Sequence, residues 1–289
     1  MEIAEDDFDL LSACVEDWRP TQVEATDVIA VDRARSLAST LDLDQAIHAG
    51  DALPMLWHWI YFLDWPRTDE LGSDGHPLHG HFLPPIPNRR RMFAGGRVRI
   101  TEPLLIGRPA VRHTEIADTV VKRGSTGALA FVTVRHRYSQ DGVLRFVEEQ
   151  DHVYRTAGGS AGVFARSTDP PVAGSAEWSL QPSTHPALLF RFSALTGNAH
   201  RIHYDEPYAV CTEGFPGLVV HGPLLALYMA ELIRRYAPRR AVRLFDYRFY
   251  NPVFAGDAIR VEGQGDDPVA LAVTSGSGIK NAVAQAILS

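Results

Sequence analysis

With 289 residues, 45% apolar and 22% charged, the chain has the composition of a globular protein able to bury one large or two ordinary cores. A net charge of −7 argues against wholesale nucleic-acid binding, while leaving room for a local basic patch that holds a phosphorylated ligand. Two cysteines, Cys14 and Cys211, frame neither a disulfide scaffold nor a cysteine zinc site. The acidic start MEIAEDDFDLLSACVEDWRP is no signal peptide, and the apolar stretch Leu218–Ile233 is broken by His221, Gly222, Pro223 and Glu231, so no membrane span and a reducing cytoplasm are expected.

In chain order, Val31–Leu41 reads as a short helix. Trp57, Trp59, Tyr61 and Trp65 alternate as a strand or edge does, for core packing or to line a pocket. Gly72–Asn88 is rich in Pro, Gly and His, and no regular helix fits there. Its His76, His79 and His81 show no carboxylate partner at ligand spacing, so no metal is expected. Arg89, Arg90 and Arg91 are the densest basic run, suited to clamping phosphate groups or to a solvated loop. Ala128–Tyr138 and Leu144–Tyr154 read as strands around a turn at Ser139–Gly142.

Thr156–Ser179, dense in Gly, Ser, Ala and Pro, reads as a linker at 156–179 between an N-terminal domain (1–155) and a C-terminal one (180–289). The two parts share a pattern. RITEPLLIGRPAVR (Arg99–Arg112) and RFYNPVFAGDAIR (Arg248–Arg260) each carry a proline, three apolar residues, a glycine, two or three further residues and then Val or Ile before Arg. Pro103 and Pro252 lie 252 − 103 = 149 positions apart, a spacing that implies domain duplication.

The second half is the clearer one. His185–Thr196 reads as a short helix, and His221–Tyr236 as a buried one that starts at Gly222 and Pro223. Strands are expected at Arg243–Tyr250, Ala258–Glu262, Val269–Val273 and Ala282–Leu288, with Phe245, Tyr247 and Phe249 alternating. A buried helix wrapped by an antiparallel sheet is the hot-dog arrangement. The fold class expected is therefore α+β, a double hot-dog whose N-terminal copy is degenerate.

FSALTGNAHRIHYDEPYA (Phe192–Ala209) followed by GLVVHG (Gly217–Gly222) resembles the MaoC-like hydratase/dehydratase family, which carries L-T-G-D-x-N-P-x-H in an overhanging loop and then an H-G turn. The resemblance places the catalytic histidine at His203 and the catalytic aspartate at Asn198, and puts His200 and Arg201 where the pattern has Asn and Pro. These departures, together with GHFLPPIPNRRRMFAGGRVR (Gly80–Arg99), are similar to the branch of hydroxyacyl-thioester dehydratase type 2 and mesaconyl-C4-CoA hydratase.

The chemistry that the resemblance implies is reversible hydration of an enoyl thioester, without a cofactor and with one site per chain. It needs a base for water, a proton for the α-carbon and a donor to the thioester oxygen. His203 is the expected base and also the proton donor, because histidine titrates near working pH. Asn198 is the expected positioner of the water, since its amide cannot take a proton. The Gly222 N–H at a helix start is the expected oxyanion donor. His200, Arg201, His221 and the run Arg89, Arg90 and Arg91 are the substrate-binding candidates, with the run set against the phosphates of coenzyme A. The implied partners are an acyl-CoA or acyl carrier protein thioester and a second copy of the chain. A short dicarboxyl substrate such as mesaconyl-CoA is preferred, because Arg201 and the run offer carboxylate partners. Two rivals are a thioesterase, with Asp205 or Glu206 as the activating carboxylate, and a binding paralogue that has lost its chemistry with the aspartate.

Overall fold

The computed structural model describes residues 3–87, 90–124, 127–155, 164, 166, 169, 171, 174, 176–276 and 278–289. Arg89 and most of the expected linker lie outside them. The first half runs through helix α1 (Ile3–Glu16), strand β1 (Val23–Val28), helix α2 (Val31–Thr40) and strands β2 (Arg90–Ile100), β3 (Pro109–Gly124), β4 (Gly127–Gln140) and β5 (Val143–Arg155). The second runs through β6 (Trp178–Leu180), helices α3 (Pro186–Thr196), α4 (Glu206–Cys211) and α5 (Gly222–Tyr236), and strands β7 (Val242–Phe249), β8 (Ile259–Gln264), β9 (Val269–Ser275) and β10 (Ile279–Leu288).

All strands belong to one ten-stranded sheet in the order β1-β3-β4-β5-β2-β7-β10-β9-β8-β6. Read outward from the central β2–β7 pair, both directions repeat the same sequence of strands. The seam is antiparallel and sets Gly95 opposite Arg248 and Gly96 opposite Tyr247. A Cβ on Gly95 would lie 2.2 Å from the Tyr247 carbonyl oxygen, and one on Gly96 would lie 2.4 Å from that of Glu149. Only glycine lets the backbones approach this closely.

The 149-residue repeat has a structural counterpart. Leu53 N–H donates to Leu104 O (2.7 Å) as Val220 N–H donates to Val253 O (2.8 Å), and Ile106 N–H donates to Asp51 O as Ala255 N–H does to Leu218 O. From these matching anchors the two halves diverge. After Val220 the chain enters α5, whose residues from Leu224 to Ile233 are all buried. Each large aliphatic side chain there contributes about 1.5–3 kcal/mol of hydrophobic stabilisation. After Leu53 the chain makes two short 3-10 turns instead, Trp57–Ile60 and Thr68–Glu70.

Three elements share the face that a helix would have covered. Leu11 and Val15 of α1 pack with Ala130, Val132 and Val134 of β4, while α2 and the first 3-10 turn cover the other end of that face at Tyr138. The tryptophans therefore do not form the strand expected from their alternation. Trp57 Nε1 donates to Glu231 Oε1 of α5 (2.8 Å) and Trp59 Nε1 to Glu148 Oε1 of β5 (2.7 Å). Their spacing reflects indole N–H groups aimed at two buried carboxylates, and Trp65 is exposed.

Candidate active site

Helix α3 ends at Gly197, which takes the left-handed conformation (φ 62°) that stops a helix. Beyond it the Asn198 side-chain oxygen accepts the His200 N–H (3.0 Å), an Asx turn that shapes the loop. A 3-10 turn, Arg201–His203, carries the loop into α4, where Asp205 caps the helix by accepting the Tyr208 N–H (3.1 Å).

His203 is buried, and its Nδ1 lies 2.7 Å from the Val219 carbonyl oxygen. A carbonyl can only accept, so Nδ1 carries the proton and Nε2 presents a lone pair. Burial lowers the His203 pKa to about 4; the Val219 hydrogen bond works in the other direction, and the neighbouring His76 adds to the lowering. His221, the residue before α5, stacks on His203 with ring centroids 3.6 Å apart. Its Nε2 is hydrogen-bonded to Ser193 Oγ of α3 (2.9 Å), and its buried Nδ1 has no partner among the described residues. Gly222 follows as the first residue of α5, where the free N–H groups and the helix dipole favour a developing negative charge. A Cβ on Gly222 would press on the Phe249 ring at 3.2 Å.

A segment of the N-terminal half completes the cluster. Gly75 (φ 87°) lies so close to the loop that a Cβ there would sit 1.9 Å from Ala199 O. Arg201 N–H donates to Asp74 O (2.8 Å), and Arg201 Nη1 to Ser73 O (2.8 Å). Asp74 in turn accepts the His76 backbone N–H (2.9 Å) and the ring Nδ1–H (3.0 Å). Burial opposes ionisation of Asp74, but these bonds prevail and hold its carboxyl at about 2. The His76 and His200 rings are 4.0 Å apart, and the His200 and His203 rings 5.6 Å. Burial, with His76 and His203 nearby, depresses His200 to about 2.

This corrects the expectation that the histidines of this loop lack a carboxylate partner: Asp74 serves His76, two residues on. The signal was the short run Asp74-Gly75-His76. Asp74, His76 and His200 are the one group among the described residues with ligand-type atoms within 4.8 Å of one another. Both Asp74 oxygens are engaged by His76, which makes a carboxylate–imidazole pair and not an open cation site.

The structure assembles His203, His200, His221, Asn198 and Gly222 in one place. Arg201, the other substrate-binding candidate of this loop, is engaged within the protein. Its guanidinium forms a two-pronged pair with Asp205 (2.9 and 2.7 Å) and lies 4.1 Å from the Tyr208 ring centre. Asp205 is thereby occupied and Glu206 is exposed, so neither provides the carboxylate at the start of α5 that a thioesterase would need. Arg90 and Arg91 begin strand β2 instead of forming a loop. Arg90 lies 3.8 Å from Glu213, and Arg91 Nε donates to His152 Nδ1 (3.4 Å).

A duplicated antiparallel sheet, one half of which wraps a buried helix with a histidine-lined site at its start, defines a double hot-dog protein of the MaoC-like kind. The family model for hydroxyacyl-thioester dehydratase type 2 matches residues 56–255, and the chain belongs to that family of hydro-lyases. It is 46% identical over 268 residues to the mesaconyl-C(4)-CoA hydratase of Chloroflexus aurantiacus, covering 87% of this chain and 94% of the relative. It is 26% identical over 231 residues to the mitochondrial hydroxyacyl-thioester dehydratase type 2 of Schizosaccharomyces pombe, covering 71% and 75%. A double hot-dog protein of Mycobacterium tuberculosis shares the fold with a TM-score of 0.58 at 12% identity, with 98% of each chain covered.

Proposed function

We propose that this chain adds water reversibly across the α,β double bond of an acyl-CoA, and in the reverse direction dehydrates a 3-hydroxyacyl thioester. The observation that carries the reading is the tautomer of His203. With Nδ1–H fixed on Val219, its Nε2 is a buried lone pair beside the start of α5. His203 takes a proton from water as the oxygen attacks the β-carbon. The Gly222 N–H, at the positive end of a buried helix, stabilises the charge that develops on the thioester oxygen. Asn198 keeps its amide NH₂ available to orient the water, while its oxygen holds the loop. A single imidazole can run both proton transfers on one face of the double bond, the first on the β-side water and the second at the α-carbon.

The substrate we favour is a short dicarboxyl acyl-CoA such as mesaconyl-C4-CoA, by analogy with the relative at 46% identity. With Arg201 engaged by Asp205, the candidate arginines left among the described residues to meet a carboxylate or the phosphates of coenzyme A are Arg90 and Arg91. Arg91 is exposed and within electrostatic reach of His200. A cytoplasmic location and pairing of two chains belong to the same reading; among the described residues no helix is long and apolar enough to cross a membrane.

The test is mass spectrometry of a panel of enoyl-CoAs, mesaconyl-CoA and crotonyl-CoA among them, with wild type and His203→Ala. Gain of one water with wild type, reduced about 10²–10⁴-fold in the variant, is expected. Free coenzyme A as the product would turn the assignment to a thioesterase. Binding without turnover would mark a pocket that kept its ligand and lost its chemistry.

A further inference from the structure

In the family pattern an aspartate stands beside the histidine, and here its position holds Asn198, which cannot exchange a proton. The loop nevertheless meets a carboxylate brought from far away in the chain. Asp74 reaches it through the Gly75–Ala199 contact and the two Arg201 hydrogen bonds, and both Asp74 oxygens are spent on His76. A carboxylate on Nδ1 fixes one tautomer of an imidazole, steadies its cation and leaves Nε2, on the opposite side of the ring, as the exchanging atom. The His76 ring is stacked on His200, which in turn abuts His203 edge-on. The groups that face His76 are Asp74 and His200 in contact, with His203 and His152 at longer range. Asp74 is the one acidic partner in this set.

We propose that His76, held by Asp74, is the second proton carrier of this active site and fills the role that Asn198 cannot. The proposal rests on the hydratase reading of His203 and replaces the single-imidazole scheme with a two-imidazole one. In the hydration direction His203 Nε2 accepts a proton from water as the oxygen–Cβ bond forms. The electron pair of the Cα=Cβ bond moves toward Cα and the thioester oxygen. The His76 imidazolium then gives its Nε2 proton to Cα. His203 passes its acquired proton back to His76, through His200 or solvent, so the protein is unchanged and the product has gained one water. Asp74 is a positioning residue that steadies the His76 cation throughout. The device needs both halves of the chain, since one half carries His203 and the other carries His76.

The experiment compares full-length wild type, His76→Ala, His76→Gln and Asp74→Asn for hydration of the enoyl-CoA that the wild type accepts. Each variant is also checked for its unfolding temperature, its metal content and its response to added imidazole. With unfolding temperatures near wild type, kcat is expected to fall about 10²–10³-fold in both His76 variants and at least about tenfold in Asp74→Asn, with KM changing less than about threefold. Added imidazole should restore part of the activity of His76→Ala and none of that of His203-intact Asp74→Asn. Variants within about threefold of wild-type kcat overturn the proposal. So does a His76→Gln enzyme that stays active while His76→Ala is dead and unresponsive to imidazole, which would mark a packing role. One equivalent of divalent metal in the wild type, lost in Asp74→Asn, would overturn it in favour of a cation site. A wild type inert on every thioester would instead remove the hydratase reading, and the proposal with it.

Discussion

His203 and His221 lie face to face, ring centroids 3.6 Å apart and planes 19° from parallel. Such a stack suits two uncharged imidazoles and penalises two charged ones. Burial drives His221 well below the ordinary histidine range, and His203 and then His200 reinforce the effect. The pair is therefore a base resting on a neutral platform, and the platform is secured to α3 by Ser193.

That anchor can be removed alone. Ser193→Ala leaves the His221 Nε2 buried with no partner, as its Nδ1 already is. The cost of one more unsatisfied buried group is about 1–3 kcal/mol, read as a lower unfolding temperature. A looser platform should also lower kcat for hydration while KM stays near wild type. Unchanged stability in Ser193→Ala would show that His221 has no need of this bond.

The pH behaviour follows from His203. Its folded pKa of about 4 lies below the ordinary histidine value of 6.5. Its neutral, proton-accepting form therefore prevails from neutral pH down to about 4, and the base role should fail as pH falls through that value. For stability the sign is the same. Between about 4 and 6.5 the unfolded chain binds the proton and the folded one does not, so stability rises with pH across this window and is lost as pH drops through it. His136, depressed to about 4 mainly by burial, acts in the same direction. Each contributes about 3 kcal/mol over the full window. Unfolding temperatures at pH 7 and pH 4.5 should differ markedly, and a His136→Gln chain should narrow the gap.

Two arginines should separate binding from loop architecture. Arg91→Ala removes a cation near the site without touching the catalytic loop, and KM for an acyl-CoA should rise about tenfold with kcat little changed. Arg201→Ala removes the Asp205 pair, the Ser73 hydrogen bond and the stacking on Tyr208. It should lower kcat and the unfolding temperature together. An Arg201→Ala enzyme that loses only substrate affinity would restore the ligand role.

At Gly222 a methyl group would meet the Phe249 ring at 3.2 Å. Gly222→Ala should tilt the start of α5 and weaken the oxyanion donor, lowering kcat at least about tenfold, toward the ~10²–10³-fold seen when such a donor is lost outright. The double variant Gly222→Ala/Phe249→Leu, which makes room for the methyl, should recover a good part of the loss. Steady-state kinetics of the two chains decides this.

Much of the second half was legible in the sequence because its elements are simple. Helices α3 and α5 and strands β7, β8, β9 and β10 start or end within about three residues of the patterns that announce them, since each buries one face against the same core. The first half was harder for physical reasons. β2 opens with two arginines and bends at Gly95 and Gly96, which read as a loop in isolation, although the glycines are what the seam with β7 requires. β3 carries charged residues along much of its length, because its outer face pairs them across the sheet, as Glu115 does with Arg135 and Arg137. The tryptophan alternation misled because tertiary hydrogen bonds to Glu148 and Glu231 determine it.

The motif residues His203, Asn198 and Gly222 could be picked out because two short contiguous patterns, Leu195–His203 and His221–Gly222, carry them. Asp74 was not, because what makes it part of the site is a contact across more than a hundred residues, through a glycine against Ala199. The commitment of Arg201 to Asp205 is an i,i+4 pair that the sequence allowed but did not distinguish from a ligand role.

The Gly75–Ala199 contact also bears on how the two copies came to depend on one another. In the first copy the chain leaves its anchor at Leu53, makes two short turns and then runs across to the other copy, where Asp74 and His76 settle on the histidine loop. Once a duplicated half has given up its own helix and lent the freed length to its twin, the fusion is hard to reverse. A fragment of residues 180–289 would retain the whole histidine signature yet lack strand β2, which pairs with β7 at the seam, and the loop that seats its motif. Two separately made halves should therefore regain activity only when mixed.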